Sequence, residues 1–479
     1  MVKWSLHTTF NPRREIPVER IITKIAADFK RDAEEFLSES RKDIRSAEEF
    51  FVPRIGKMAT ELLAALYEAA DQELLEDRVG RRQEGLVVER RGEPRTILSQ
   101  LGTITYKRAY YQRRDGTYCH PVDEIAGVEA YERISARVSE ELVDAAREMP
   151  YRKSSRVVTN GAVSSQTVMN KIRRSSPKTE IVERVRVPVL HVDADEDHVK
   201  LHNGNSTYAP LISVYTGIEK QGKRGICKDV FHISEYGRGS DDLWETALNE
   251  MERRYDLSDT KIYLHGDGAP WIKAGLGWLP NCTFVLDRYH VNKAVQEAVS
   301  GMDVQSGSEY GGSLLAALRE GNEEEFLSVR KKMLECWPDR EDSMMEHTGY
   351  LLDNFQAIHI WYTDPEARSG GATEPHVSNV LSARLSSRPM AWSKDTLRRF
   401  LPILAAGSCA LDPKEEAVSV SPAPESRIVI KARRKAYRHL GLPDPDRAVQ
   451  LPGAAGKVTP LYNALRPFIY AWPYSPTTT

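Results

Sequence analysis

Three acidic residues stand where strands end or a helix begins. Asp195 lies in VLHVDADEDHVKL, Asp267 in KIYLHGDGAPWIKAG and Glu374 in GGATEPHVSNVLSARLSSRPMAW. Two carboxylates at neighbouring strand ends and a third on a helix can hold a pair of Mg²⁺ ions, with Mn²⁺ as a substitute. Such a pair suits the cutting and joining of phosphodiesters.

Side chains alternate along a strand, so His191, Asp193 and Asp195 share one face while Leu190, Val192 and Ala194 share the other. Charge on a buried strand is costly unless it meets a cation. Asp193 and Asp195 both qualify as the first ligand, and spacing alone does not choose between them. The alternative is a structural ion pair or a solvated strand end. Asp267 follows the apolar strand Ile262–Leu264, between Gly266 and Gly268, which allow unusual dihedrals beside the carboxylate. Asp287 and His290 form a D-x-x-H pair whose i, i+3 spacing puts both on one side of a starting helix. They either support the acids or are simply a helix cap with a histidine one turn on. Six histidines cluster between His191 and His290. His198 and His202 are four apart, but on a strand-like segment, so helical zinc spacing is not met.

The elements that must position these acids follow from periodicity. Residues 18–77 read as helices, with Ile21, Ile25 and Phe29 and then Met58, Leu62 and Leu66 at helical spacing. From Gly85 to Tyr118 the period becomes that of strands, with Gly102 and Asp115-Gly116 as turns and an Arg-rich side. The segment MPYRKSSRVVTNGAVSSQTVMNKIRRSS predicts two short helices around Asn160-Gly161, the second capped by Ser164. That is helix-turn-helix spacing, with Ser165, Gln166 and Asn170 on a face that can enter a major groove, and Arg152, Lys153, Lys171, Arg173 and Arg174 as phosphate contacts. An ordinary helical corner has the same spacing.

Residues 185–286 read as strand, strand, strand, helix, strand, helix, strand, the order of a ribonuclease-H-like core, with Tyr208–Ile218 and Cys227–Tyr236 joined by the turn Glu219–Gly225. A helical stretch from Val291 to about Ile360 separates the fifth strand from a helix opened by Glu374. The expected fold class is α/β. The regions are 1–84 helical, 85–135 a small β unit and 136–180 helix-turn-helix. The core spans 181–290, a helical insertion 291–368, and the core resumes at 369–410 with the third acid. A basic and Pro-rich tail spans 411–479.

Composition fits a soluble globular protein, with 28% charged and 41% hydrophobic residues. No apolar run approaches the roughly 20 residues that cross a bilayer. Five scattered cysteines without a C-x-x-C argue against a disulfide framework, and a reducing cytoplasm is expected. The net charge of −2 hides local basic segments at 152–174, 78–114 and 427–438. Solvated faces are the plain alternative for each.

The stretches D-E-D-H-V (Asp195–Val199), H-G-D-G-A-x-W-I (His265–Ile272), L-D-R-Y-H (Leu286–His290) and V-S-x-x-L-S-A-R-L-S-S-R-P-M-x-W (Val377–Trp392) are long and ordered. Together they resemble the Lre-type insertion-sequence transposases, a family formerly filed as uncharacterised and related to Mutator-type DDE transposases. The resemblance runs from about Arg90 to Leu401. It implies a ribonuclease-H-like catalytic domain interrupted by a helical insertion, and Mg²⁺-dependent transposition. By position Asp195, Asp267 and Glu374 match the family's acidic triad, and Asp287 and His290 its D-x-x-H signature. The expected partners are the DNA ends of the element and target DNA, with a homodimer or larger assembly joining two ends at the nucleoid, and no membrane. Two other classes remain: a non-catalytic DNA-binding protein, and a ribonuclease-H-type nuclease or resolvase.

Overall fold

Five strands organise the molecule around the acids. In chain order they are β1 (Val189–Lys200), β2 (Ser206–Tyr215), β3 (Phe231–Ile233), β4 (Lys261–Gly266) and β5 (Cys282–Leu286). They line up as β3-β2-β1-β4-β5, antiparallel from β3 to β1 and parallel from β1 to β5. The computed structural model describes residues 17–39, 42–177, 182–222, 224–368, 370–407 and 409–411, all within one unit, Met1–Asp412. The basic segment 427–438 and most of the expected tail lie outside the described residues.

Alternation along β1 builds both faces of the sheet. Leu190, Val192 and Ala194 join Ile212, Val214, Ile262 and Leu264 in one apolar cluster, covered by the helix Ser240–Arg254 through Trp244 and Met251. The helices that follow β5 extend this cluster, burying Leu314, Leu318, Phe326, Val329 and Met333 at the expected helical spacing. The opposite face is divided. Its near half is polar, with His191 and Asp193 on β1 beside Tyr215 and His265, all buried. Its far half is apolar: Val199, Leu201, Ala209 and Leu211 meet helices at 136–173 and Lys394–Ala406 in a second cluster.

The helical stretch after β5 is pinned to the sheet as well as packed on it. The Lys261 ammonium lies 2.8 Å from Asp364, and the Tyr263 hydroxyl donates to the same carboxylate at 2.5 Å.

Two expectations need correction. The turn expected between β2 and β3 is a separate two-stranded hairpin, Gly217–Gln221 with Arg224–Lys228. The Arg-rich side of the small β unit, Val87–Ser99 paired with Gly102–Gln112, is only partly a surface. Lys107 is exposed, but Arg108 is buried in an ion pair with Asp123, whose carboxylate also accepts from Tyr106.

Candidate active site

Asp195 sits in the middle of β1, not at the strand end expected from the sequence, because pairing with β2 carries the strand on to Lys200; it lies at the level where its other neighbour, β4, ends. The parallel register pairs His265 with Asp193 and stops at Gly266, so Asp267 emerges one residue beyond the strand, beside Asp195. Close approach of the two strands needs a glycine here: a Cβ on Gly266 would lie 2.8 Å from the Ala194 carbonyl oxygen. Gly268 takes the left-handed conformation (φ 86°) and lets the chain turn. The Asp267 carboxylate accepts from the Ala269 N–H at 2.8 Å, and its carbonyl accepts from the Tyr350 hydroxyl at 2.6 Å. Tyr350 belongs to the helix Glu341–Asp353, so the inserted helices hold this acid's backbone from outside the sheet.

Glu374 lies in the first turn of the helix Thr373–Val377 and is exposed. That helix continues as a π-helical turn, Ser378–Ser382, and then Ala383–Leu385. The expected helix from Glu374 to Leu385 is therefore present with one wide turn inside it.

The three acids share one electrostatic environment. Burial lifts Asp195 to a pKa of about 6, against the pull of the Glu196 N–H that it accepts at 2.8 Å. The charges of Asp267 and Glu374 push the same way as burial, and His290 opposes them. Among the described residues, however, no three Asp, Glu, His or Cys side chains close into a ready metal-holding group. The carboxylates are near enough to repel, with Glu374 still facing solvent.

Asp193 resolves differently. It is buried to 2% exposure and turned to the backbone after residue 369, not to the other two acids. Its Oδ2 accepts from the Ala372 N–H at 2.8 Å, and the Tyr215 hydroxyl donates to both its oxygens at 3.1 and 3.2 Å. Burial pushes its pKa up to about 7 despite those donors. Behind it, His191 and His265 meet at 3.1 Å, both held neutral by burial at pKa about 4 and about 3.

Asp287 caps the helix Arg288–Val299, accepting from the Tyr289 N–H at 2.7 Å. It also lines a cavity of about 190 Å³ with His265, Arg288, Trp361 and Glu374. The cap is thus the role that the geometry shows for Asp287. His198 is exposed on β1, and the ring of His202 lies 3.0 Å from the Ala391 carbonyl, so the two are not a ligand pair.

The two short helices are Tyr151–Thr159 and Ser165–Arg173. Asn160 and Gly161 both take left-handed backbone between them, and Ser164 caps the second helix by accepting from the Thr167 N–H at 3.1 Å. Arg152, Lys153, Ser165, Gln166 and Asn170 are exposed. The basic residues at the end of the second helix are not free. Lys171 is 6% exposed and lies 2.7 Å from Glu132, Arg173 lies 3.0 Å from Asp395, and Arg174 reaches Glu132 at 3.6 Å. Lys171 thus has a structural place, because its i−3 neighbour Val168 and adjacent Ile172 face the core and draw it inward.

Residues that sequence reasoning missed include Tyr215 and Tyr350, neither of which carries a local signal, since each acts on a partner distant in the chain. The pair Gly370-Gly371 reads in sequence as a flexible link before the Glu374 helix, whereas Gly371 donates to the Tyr215 hydroxyl at 2.8 Å.

A mixed α/β fold that sets Asp267, one residue past the end of β4, beside Asp195 in the middle of its parallel neighbour β1 is the class that fold and site define. This chain belongs to the family described as Uncharacterised protein family (UPF0236), which matches residues 41–416. A UPF0236 protein of Caldanaerobacter subterraneus subsp. tengcongensis is 33% identical over 95% of this chain and 98% of its own length, and its name joins eleven locus designations from that strain. A second from the same strain is 33% identical over 87% of this chain and 90% of its own. A third, the UPF0236 protein in the vanSb 3′ region of Streptococcus gallolyticus, is 24% identical over 66% of this chain and 72% of its own length.

Proposed function

We propose that this protein is a DNA transposase that cleaves element ends and joins them to target DNA with divalent metal, and that the sheet β3-β2-β1-β4-β5 is a ribonuclease-H-like core with an insertion at 291–368. The observation that carries this reading is the parallel register that ends β4 at Gly266 and sets Asp267 beside Asp195, with Glu374 near enough for its charge to raise the Asp195 pKa. A protein gains little from crowding three carboxylates unless a cation joins them. A relative named for eleven loci of one strain also suits a gene that multiplies itself.

The residues fit Mg²⁺ by chemistry, being hard oxygen donors from three elements. Held by Asp195, Asp267 and Glu374, it would supply Lewis acidity to a phosphodiester and to the attacking oxygen. The chain supplies the rest. Asp195 and Asp267 are fixed to the sheet, so the attacking and leaving oxygens meet a preorganised negative surface that demands a cation. Asp287 and His290 flank it on the next helix, with His290 moderating the charge on Asp195. Arg152 and Lys153 are free to hold backbone phosphates while Gln166 and Asn170 face bases, which reads the two short helices as a helix-turn-helix. Joining two ends requires at least two copies on DNA.

The test is Asp267→Asn, which keeps shape and removes one charge. With labelled DNA from the borders of the gene, Mg²⁺-dependent cleavage and joining are expected to fall by at least about a hundredfold, while gel-shift binding persists. Wild-type-like cleavage by the variant would sink the site. Cleavage without joining by the wild type would instead indicate a ribonuclease-H-type nuclease, and binding without cleavage a non-catalytic DNA-binding protein.

A further inference from the structure

An interior strand carboxylate is an expensive group to keep, and among the described residues Asp193 has no lysine or arginine beside it, only the His376 ring with Nδ1 4.0 Å from its Oδ2. Its donors come from the backbone just before Glu374 and from the end of β2. The Ala372 N–H donates to it directly, and the Tyr215 hydroxyl donates to both its oxygens. The same hydroxyl accepts from the Gly371 N–H at 2.8 Å. One residue earlier, Gly370 lies against the histidine pair: a Cβ there would come within 2.3 Å of His191 Nδ1 and 2.5 Å of His265 Nε2. Three successive backbone positions are thus seated on β1, β2 and β4 by buried side chains. Glu374 follows two residues after the last of them. Two residues span at most about 7 Å, so fixing Ala372 largely fixes where Glu374 begins. His376 on the same helix is seated too, with its Nε2 3.3 Å from Cys227 Sγ.

We infer that Asp193 and Tyr215 form a latch: they are positioning residues that hold Gly370–Ala372 against the sheet and so aim Glu374 at Asp195 and Asp267. The consequence for catalysis rests on the transposase reading, but the latch itself does not. It also assigns the first metal ligand, because Asp193 spends both oxygens on the latch and leaves Asp195 to face the other acids.

The experiment uses the full chain and two readouts. Hydrogen exchange of peptides covering 370–377 reports the latch directly, and cleavage of border DNA with Mn²⁺ or Mg²⁺ reports its effect. Tyr215→Phe keeps the ring against His191 and removes both the donor and the acceptor. It is expected to speed exchange at Gly371 and Ala372 by about tenfold or more, and to lower kcat by about tenfold to a hundredfold with KM for DNA unchanged. Gly370→Ala, pushed off the histidines, is expected to do the same. Asp193→Asn retains an acceptor for the Ala372 N–H and should recover part of what Asp193→Ala loses. If Asp193→Ala does not fold, Tyr215→Phe and Gly370→Ala still decide. Unchanged exchange in Tyr215→Phe overturns the latch. Faster exchange with unchanged kcat overturns its role in aiming Glu374, as does a rise in KM alone. If wild-type protein cleaves no border DNA, the transposase reading falls, and exchange at 371 and 372 still accepts or rejects the latch.

Discussion

At the scale of residues, the carboxylate at Asp195 sets a measurable penalty. Burial first, then Asp267 and Glu374, raise its pKa to about 6, whereas an unfolded chain holds an aspartate near 3.9. The folded state therefore prefers the proton. The charge costs nothing below about pH 4, costs progressively more as pH rises towards 6, and costs a constant amount above that. Two units would be about 3 kcal/mol, and solvent reaching this partly open side chain reduces it to about 1 kcal/mol. Asp195→Asn is accordingly expected to raise the melting temperature of metal-free protein at pH 8 and not at pH 4. Added Mg²⁺ should stabilise the wild type more than the variant. Melting curves at the two pH values check this, and an equal gain at both would show that charge is not the cause. Asp267 and Glu374 were legible in sequence as a residue just past an apolar strand and one opening a helix, whereas Asp195, expected at a strand end, lies in the middle of β1. The division of labour between Asp193 and Asp195 was not legible. Asp193 meets Tyr215 22 residues away and Ala372 179 residues away, and no local pattern encodes such distances.

At the scale of elements, the two helices after Pro150 show where periodicity informs and where it misleads. Their ends were readable from Asn160-Gly161 and the Ser164 cap, since both act within a few residues. Which basic residues stay free was not, because Glu132 and Asp395 come from other elements. This separates two substitutions. Gln166→Ala, on the exposed face, should weaken binding to border DNA more than to random DNA by about 1–3 kcal/mol and leave folding intact. Lys171→Ala should destabilise the protein by about 1–2 kcal/mol, because it removes the nearest partner of the half-buried Glu132 and leaves only Arg174 at 3.6 Å. Chemical denaturation and gel shifts on both DNAs measure the pair. A stable Lys171→Ala protein with weakened binding to all DNA would return Lys171 to the phosphate-contacting surface. The hairpin Gly217–Lys228 was hidden for a related reason: its two strands pair only with each other, and only the register shows that they leave the sheet.

At the scale of the molecule, the sheet is a shared wall rather than the interior of one domain. The helices Ala136–Glu148, Tyr151–Thr159 and Ser165–Arg173 bury Val138, Leu142, Val143, Ala146, Val168 and Ile172. The other side of that cluster comes from β1, β2, the helix Lys394–Ala406 and the segment after Glu374. Arg384 fastens the seam, donating from Nε to the Ala146 carbonyl at 2.6 Å between the rings of Tyr151, Trp392 and Phe400. Sequence reading drew a boundary at residue 180, yet the apolar contacts run across it. Cutting there would expose six apolar side chains, a loss on the order of 10 kcal/mol at about 1.5–2 kcal/mol each. Helices of 13, 9 and 9 residues are too short to stand without packing. A fragment of residues 136–177 is therefore expected to be unfolded by circular dichroism and to bind border DNA far more weakly than the full chain. The same three helices in a chain ending at residue 411 should be folded, because Phe400, Leu401 and Leu404 are retained. A fragment with cooperative melting and full sequence-selective binding would show that DNA reading is an independent module, and that the seam at Arg384 serves only to attach it.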